Sequence, residues 1–135
     1  MRIRGQGAAT PPRARHPESL VELAVPFRAI LETLVAEHEP VVRGAIFCDD
    51  EGERVDSCAG AGSSEDDLAL LGASIATVAP MIPGGACMRI VLENAVVWVA
   101  TVESGCFLVV QCARGRDGAV RADLPRAVAA LAAHM

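Results

Sequence analysis

Leu68–Ile82 reads LALLGASIATVAPMI, fifteen residues without a charge. Leu68, Leu71, Ile75, Val78 and Ile82 make one apolar stripe at helical spacing. Leu70, Ala73, Ala76, Ala79 and Met81 fill most of the remaining circumference, broken by Ser74 and Thr77 and flattened at Gly72. A helix that is apolar nearly all round is buried on more than one side. This one is too short to cross a bilayer, which takes roughly 20 apolar residues. A single domain of 135 residues also has too little structure to wrap it. The expected cover is a second molecule, which points to a binding protein.

The flanks frame a small domain. Upstream, Ser64 with Asp67 has the form of a capping box, and Glu65 and Asp66 suit a helix N-terminus. Downstream, Pro80 falls within the last turns, where it kinks or ends the helix, and Pro83-Gly84-Gly85 stops it. Nearer the N-terminus, Ser19–Val25 offers a helical turn and Pro26 suits the first position of a helix. Phe27, Ile30, Leu31 and Leu34 follow helical spacing, and Pro40 ends the segment. Val41–Cys48 predicts a strand, Asp49-Asp50-Glu51-Gly52 a turn, and Arg54–Ala59 an alternating strand with one wet face. That hairpin sets Cys48 opposite about Arg54. Ala86–Leu92, Val96–Val102 and Cys106–Cys112 predict three more strands, the last two apolar on both faces. Asp123 suits the cap of a last helix lined by Leu124, Val128, Leu131 and Met135. The predicted order is α-β-β-α-β-β-β-α, one five-stranded antiparallel sheet in an α/β sandwich of the α+β class. Two helices share one face and the apolar helix covers the other.

Charge narrows the function. All 12 basic side chains are Arg, and the net charge is −5, against a phosphate-backbone ligand. Arg2, Arg4, Arg13 and Arg15 precede the first acid, Glu18. Residues 1–16 read as a disordered basic tail before a domain over residues 17–135. The tail has the charge to reach an acidic partner or a membrane surface, though a solvated tail is the simpler reading. It lacks the apolar stretch of a secretory signal. The five cysteines show no paired spacing and read as free thiols in a reducing cytoplasm.

No catalytic set emerges. Ser63 and Ser64 lack a nucleophile-elbow context, and Gly60-Ala61-Gly62 lacks the rest of a phosphate loop. Asp49, Asp50, Glu51 and Glu53 read as a solvated turn. Nothing places Asp56 and Glu103 in one cleft. His16, His38 and His134 stand far from the cysteines, so neither metal nor cofactor is expected. Trp98 reads as core. Arg43, Arg54, Arg114 and Arg116 are the candidate partner contacts, because arginine is favoured at interface hot spots.

The element order resembles the roadblock family of dynein light chains, late-endosomal adaptor subunits and bacterial MglB-like proteins. The local match is Val42-Arg43-Gly44-Ala45-Ile46-Phe47 followed by Asp49-Asp50-Glu51-Gly52. The apolar second helix, Met88–Leu92 and the final strand pair also fit, from about Phe27 to the C-terminus. The resemblance implies sheet order 2-1-5-4-3 and a dimer built on the second helix and third strand. The expected interface is Leu68, Leu71, Gly72, Ile75, Ala76, Ala79, Met88, Arg89, Ile90 and Leu92. It further implies a non-enzymatic cytoplasmic homodimer, or a heterodimer with a related subunit, that regulates or scaffolds a small Ras-like GTPase. MglB-like members stimulate hydrolysis by their partner, but no residue motif here diagnoses that activity. The alternative is a small-ligand sensor of the PAS or profilin-like type, which needs convergent polar groups between sheet and helix.

Overall fold

The structure is a computed structural model that describes the backbone of residues 16–135 and the side chains of residues 26–135. The expected tail therefore lies outside the described residues except for His16. The elements are α1 (His16–Glu37), β1 (Val42–Cys48), β2 (Arg54–Ala59), α2 (Glu65–Ile75), β3 (Cys87–Val91), β4 (Val96–Thr101), β5 (Phe107–Cys112) and α3 (Gly118–Ala133). The predicted order holds. The five strands form one sheet in the order β2-β1-β5-β4-β3, each neighbour pair antiparallel. Cys48 pairs with Arg54 across the first hairpin.

Alternation along the strands sorts the core into two layers. Ala45, Phe47, Trp98, Leu108 and Val110 face α1 and α3, where they meet Leu31, Leu34, Val120, Leu124 and Leu131. Ile46, Val97, Val99, Phe107 and Val109 face the other way and meet Leu68, Ile75, Ala79 and Ile82. β4 and β5 are buried on both sides, as their unbroken apolar runs predict. Each fully buried Leu or Ile contributes about 1.5–3 kcal/mol.

Three helix boundaries depart from the sequence reading. α1 begins at His16 and runs through Pro26, giving up one backbone hydrogen bond at the proline while its later turns pack on the sheet. α2 is only eleven residues long and ends at Ile75. Beyond it the chain turns into a single 3-10 turn, Ala79–Met81. The hydroxyls of Ser74 and Thr77 donate to Leu70 O and Ser74 O, and Pro80 cannot continue an α-helical ladder. α3 begins at Gly118, with Asp117 in the cap position. Asp123 is therefore inside that helix and caps nothing.

Polar side chains pin these helices. Ser64 Oγ accepts from Asp67 N–H at 3.1 Å. The Glu65 carboxylate takes the Ser57 hydroxyl and, at 3.0 Å, the Ala59 N–H, and the Ser57 bond foremost draws its pKa down. Asp117 is 5% exposed and accepts from Arg89 Nε and Nη2 at 2.7 and 3.0 Å and from Trp98 Nε1 at 2.8 Å. It locks the start of α3 to β3 and β4. The Arg89 guanidinium, with Trp98 assisting, pulls the Asp117 carboxyl down to about 2.

Two stability predictions follow from this packing. A Cβ on Gly72 would lie 2.6 Å from Cys48 Sγ, and Cys48 is fully buried. Gly72→Ala is expected to cost about 1–3 kcal/mol through overpacking, outweighing the roughly 1 kcal/mol by which Ala favours a helix. In a Cys48→Ala background the sign should reverse, which urea unfolding of the four chains of this cycle checks. The depressed Asp117 pKa stabilises the fold fully above about pH 4 and less as the pH falls toward 2. It is worth about 2 kcal/mol at 1.36 kcal/mol per pKa unit. Asp117→Asn should be less stable at neutral pH and lose about that much less between pH 5 and 2, read from urea midpoints.

Candidate interaction surface

The two faces of the sheet are covered unequally. α1 and α3 pack side by side on one, with Arg126 Nη2 reaching Glu37 Oε1 at 2.7 Å across them. On the other, α2 packs on β1 and β2, and the 3-10 turn reaches β4. Met88 and Ile90 of β3 point to this thinly covered side and stay half-buried. Leu70 of α2 is 69% exposed and Met81 79% exposed. β3 is an edge strand with β4 as its one neighbour. Val91 and Leu92 at its end are exposed.

The expected interface residues divide by where they point. Leu68, Gly72, Ile75 and Ala79 are buried against their own sheet, because the stripe that reads as interface in sequence is the one that seats α2. Leu71 and Ala76 are half-buried at the margin of that core. Arg89 points the other way from Met88 and Ile90. A single residue step along β3 puts its side chain on the α3 face, where Asp117 holds it. Leu70, Ala73 and Met81 are exposed and were absent from the expected set; their sequence signal was the flank of the helix opposite the buried stripe.

The candidate partner arginines are mostly occupied within the chain. Arg43 Nη1 donates to Asn94 O at 3.1 Å and Arg114 Nη1 to Glu93 O at 3.0 Å, so both hold the β3–β4 turn. Arg54 pairs with Glu65 at 3.4 Å. Arg116 is exposed.

The titratable groups give no catalytic arrangement among the described residues. Burial pushes the Cys48 and Cys112 thiols up to about 12, which makes them inert packing groups. Glu37, His38 and Asp123 bring three ligand atoms within 4.8 Å of one another, a grouping hidden in sequence because His38 and Asp123 are 85 positions apart. Arg126 already occupies it, donating to Asp123 through Nε and Nη2 at 2.7 Å each. Arg126, with His38 next, holds the Asp123 carboxyl well below the usual carboxylate range. A guanidinium seated there opposes a metal cation electrostatically. Ser57 and Asp117 are the buried polar side chains of the described core, and both are bonded internally. No described helix is long and apolar enough to cross a membrane.

This architecture matches solved structures at low sequence identity. Myxococcus xanthus MglB superposes with a TM-score of 0.68 at 16% identity, covering 82% of this chain and 87% of that one. A structure described as MglB with tetrameric arrangement gives 0.69 at 22%, covering 84% and 88%. The Roadblock/LC7 domain from Streptomyces avermitilis gives 0.61 at 19%, covering 78% and 91%. No family model and no curated protein matches the chain by sequence. The chain is thus a roadblock-fold domain of the kind seen in MglB.

Proposed function

We propose that the protein is a non-enzymatic dimer that regulates or scaffolds a small Ras-like GTPase in the cytoplasm. The observation that carries the reading is surplus apolar surface beside an open strand edge. Leu70 and Met81 are bare, Met88 and Ile90 are half-buried on the thinly covered face, and β3 has an unpaired side. A two-fold axis near β3 would pair the two edges and let each α2 lie over the partner's Met88 and Ile90. That isologous arrangement removes the edge and covers both patches at once. A stable dimer of this kind buries roughly 1,200 Å² or more. The interface then consists of Leu70, Leu71, Ala73, Ala76 and Met81 with Met88, Ile90 and Leu92. A heterodimer with a related roadblock-fold subunit uses the same surface.

The fold shared with MglB supports a GTPase as the further partner, and the lack of a nucleophile–base set in the described residues supports a role without chemistry of its own. Whether hydrolysis by that partner is stimulated or the GTPase is only held is read directly from a turnover assay.

Size-exclusion chromatography with light scattering at micromolar concentration should give twice the mass of one chain. Leu70→Arg should shift it to the monomer while leaving the urea midpoint of the protomer within about 0.5 kcal/mol, since the side chain is exposed. A wild-type monomer would sink the dimer. Immobilised protein should retain a small GTPase from extract of its own cell. The purified GTPase's hydrolysis rate with and without the dimer separates regulator from scaffold, and failure to retain any GTPase counts against the partner.

A further inference from the structure

On the side of the sheet opposite Met88 and Ile90, α3 leaves a gap over the strands. An apolar pocket of about 370 Å³ lies between α3 and the paired ends of β3 and β4, within the roughly 300–1,000 Å³ of small-molecule sites. α3 lines it with Arg121, Leu124, Pro125, Val128 and Ala129. Their spacing of i, i+3, i+4, i+7 and i+8 makes one stripe of the helix. The sheet supplies Cys87 and its cross-strand partner Ala100. The void has a cause in sequence. Val96, Trp98 and Ala100 alternate along one face of β4. Trp98 fills the space above it and packs in the α1/α3 core, whereas Ala100 offers only a methyl group. Gly85 and Ala86 beside it add no bulk.

A cationic compartment adjoins this pocket. A cavity of about 520 Å³ shares Cys87 and Arg121 with it and is also lined by Arg89, Trp98 and Asp117. The Asp117 carboxylate is engaged by Arg89 and by the Trp98 N–H. Arg89 uses Nε and Nη2 in that pair; among the described residues its Nη1 donates to no side chain. Arg121 is exposed, and no acid among the described residues pairs with it. Two guanidiniums thus stand against one carboxylate. One positive charge is left uncancelled at the mouth of an apolar pocket, in a chain whose net charge is −5.

We propose that this groove binds an amphipathic monocarboxylate, with its aliphatic tail in the pocket under α3 and its head group accepting from Arg121 and from Arg89 Nη1. The charge count selects a monoanion. A phosphate monoester would bring a second negative charge beside Asp117 with no cation to meet it. The tail pocket selects an aliphatic body, since Arg121 is the one charged side chain in its lining. Guanidinium–carboxylate bonds are charge-assisted and directional, so the head group fixes how far the tail enters. Edge pairing through β3 engages its backbone and its Met88 and Ile90 face, so the groove does not depend on the dimer.

The test is titration of the full chain with octanoate, read by calorimetry and amide NMR. Acetate, 1-octanol and octylammonium are the comparison probes. Octanoate should bind saturably and shift the amides of Cys87, Thr101 and Ala129 and the Arg121 Nε–H. Acetate lacks the tail, octanol lacks the charge and octylammonium carries the wrong one. Each should bind about tenfold more weakly or worse, as expected for losing a charge-assisted bond or the apolar contact. Arg121→Gln should lose a similar factor, and Arg121→Lys should recover part of it. Ala129→Leu fills the pocket from an exposed helix position and should weaken octanoate binding with Arg121 in place. An unchanged Trp98 indole N–H in each ligand-free variant reports an intact fold. Absence of saturable octanoate binding overturns the proposal. So does octanol binding as tightly as octanoate, or an unchanged affinity in Arg121→Gln. Shifts confined to Leu70, Met88 and Ile90 place the ligand on the opposite face and overturn it as well.

Discussion

One helix about 10 Å across cannot cover five strands. Strands sit about 4.8 Å apart, so the sheet is roughly 20 Å wide. On the α1/α3 face two helices side by side, spaced 8–10 Å, match that width. On the opposite face α2 stands alone, seated on β1 and β2, and the 3-10 turn that follows it reaches β4. The far strand, β3, is left with Met88 and Ile90 half-buried and no helix of its own. That shortfall in width is the constraint behind the exposed Leu70 and Met81, the open edge and the dimer proposal. The shape is complete on one side and half of something on the other.

Sequence periodicity exposes the hydrophobic layers because it measures what the solvent sees. β4 and β5 read as apolar on both faces and are buried on both; β2 alternates and lies at an edge. The same reasoning overreached at α2. Fifteen uncharged residues suggested one rod with several oily sides, but hydroxyls at Ser74 and Thr77 and the ring of Pro80 divide it into a helix and a turn. Part of the apparent surplus is thereby spent inside, at Ala79 and Ile82. The sheet order was legible only through the family resemblance, since spacing alone says that neighbours are antiparallel and not which strand lies in the middle. The side of the sheet on which Arg89 falls was hidden as well, because one residue of register exchanges the faces of a strand.

The polar anchors were illegible for a different reason. Arg89 and Asp117 are separated by 28 residues and His38 and Asp123 by 85, so no local pattern joins them. Their common feature is position: each ties a helix end or a connecting loop to a strand or a second helix. Asp117 fastens α3 to β3 and β4, Glu65 fastens α2 to β2, and the Asp123–Arg126–Glu37 set fastens α3 to α1. Apolar packing is non-directional and tolerates sliding. These hydrogen-bonded charges fix where each helix sits, which in turn decides which apolar residues of α2 and β3 are left outside.

This internal use of arginine also shapes the outer surface. Arg28, Arg54, Arg89 and Arg126 are paired with Asp56, Glu65, Asp117 and Asp123, and Arg43 and Arg114 are bonded to backbone carbonyls of one turn. Few cations remain among the described residues to offset the acids, and Asp49, Asp50, Glu51, Glu53 and Glu103 gather at the hairpin end without one. The domain therefore presents two unlike surfaces. Its α2 and β3 flank is apolar, uncharged along the helix from Leu68, and suited to a matching copy of itself. Its hairpin end is anionic and repels such a copy. Like charges at that end penalise any packing that would bring two such ends together.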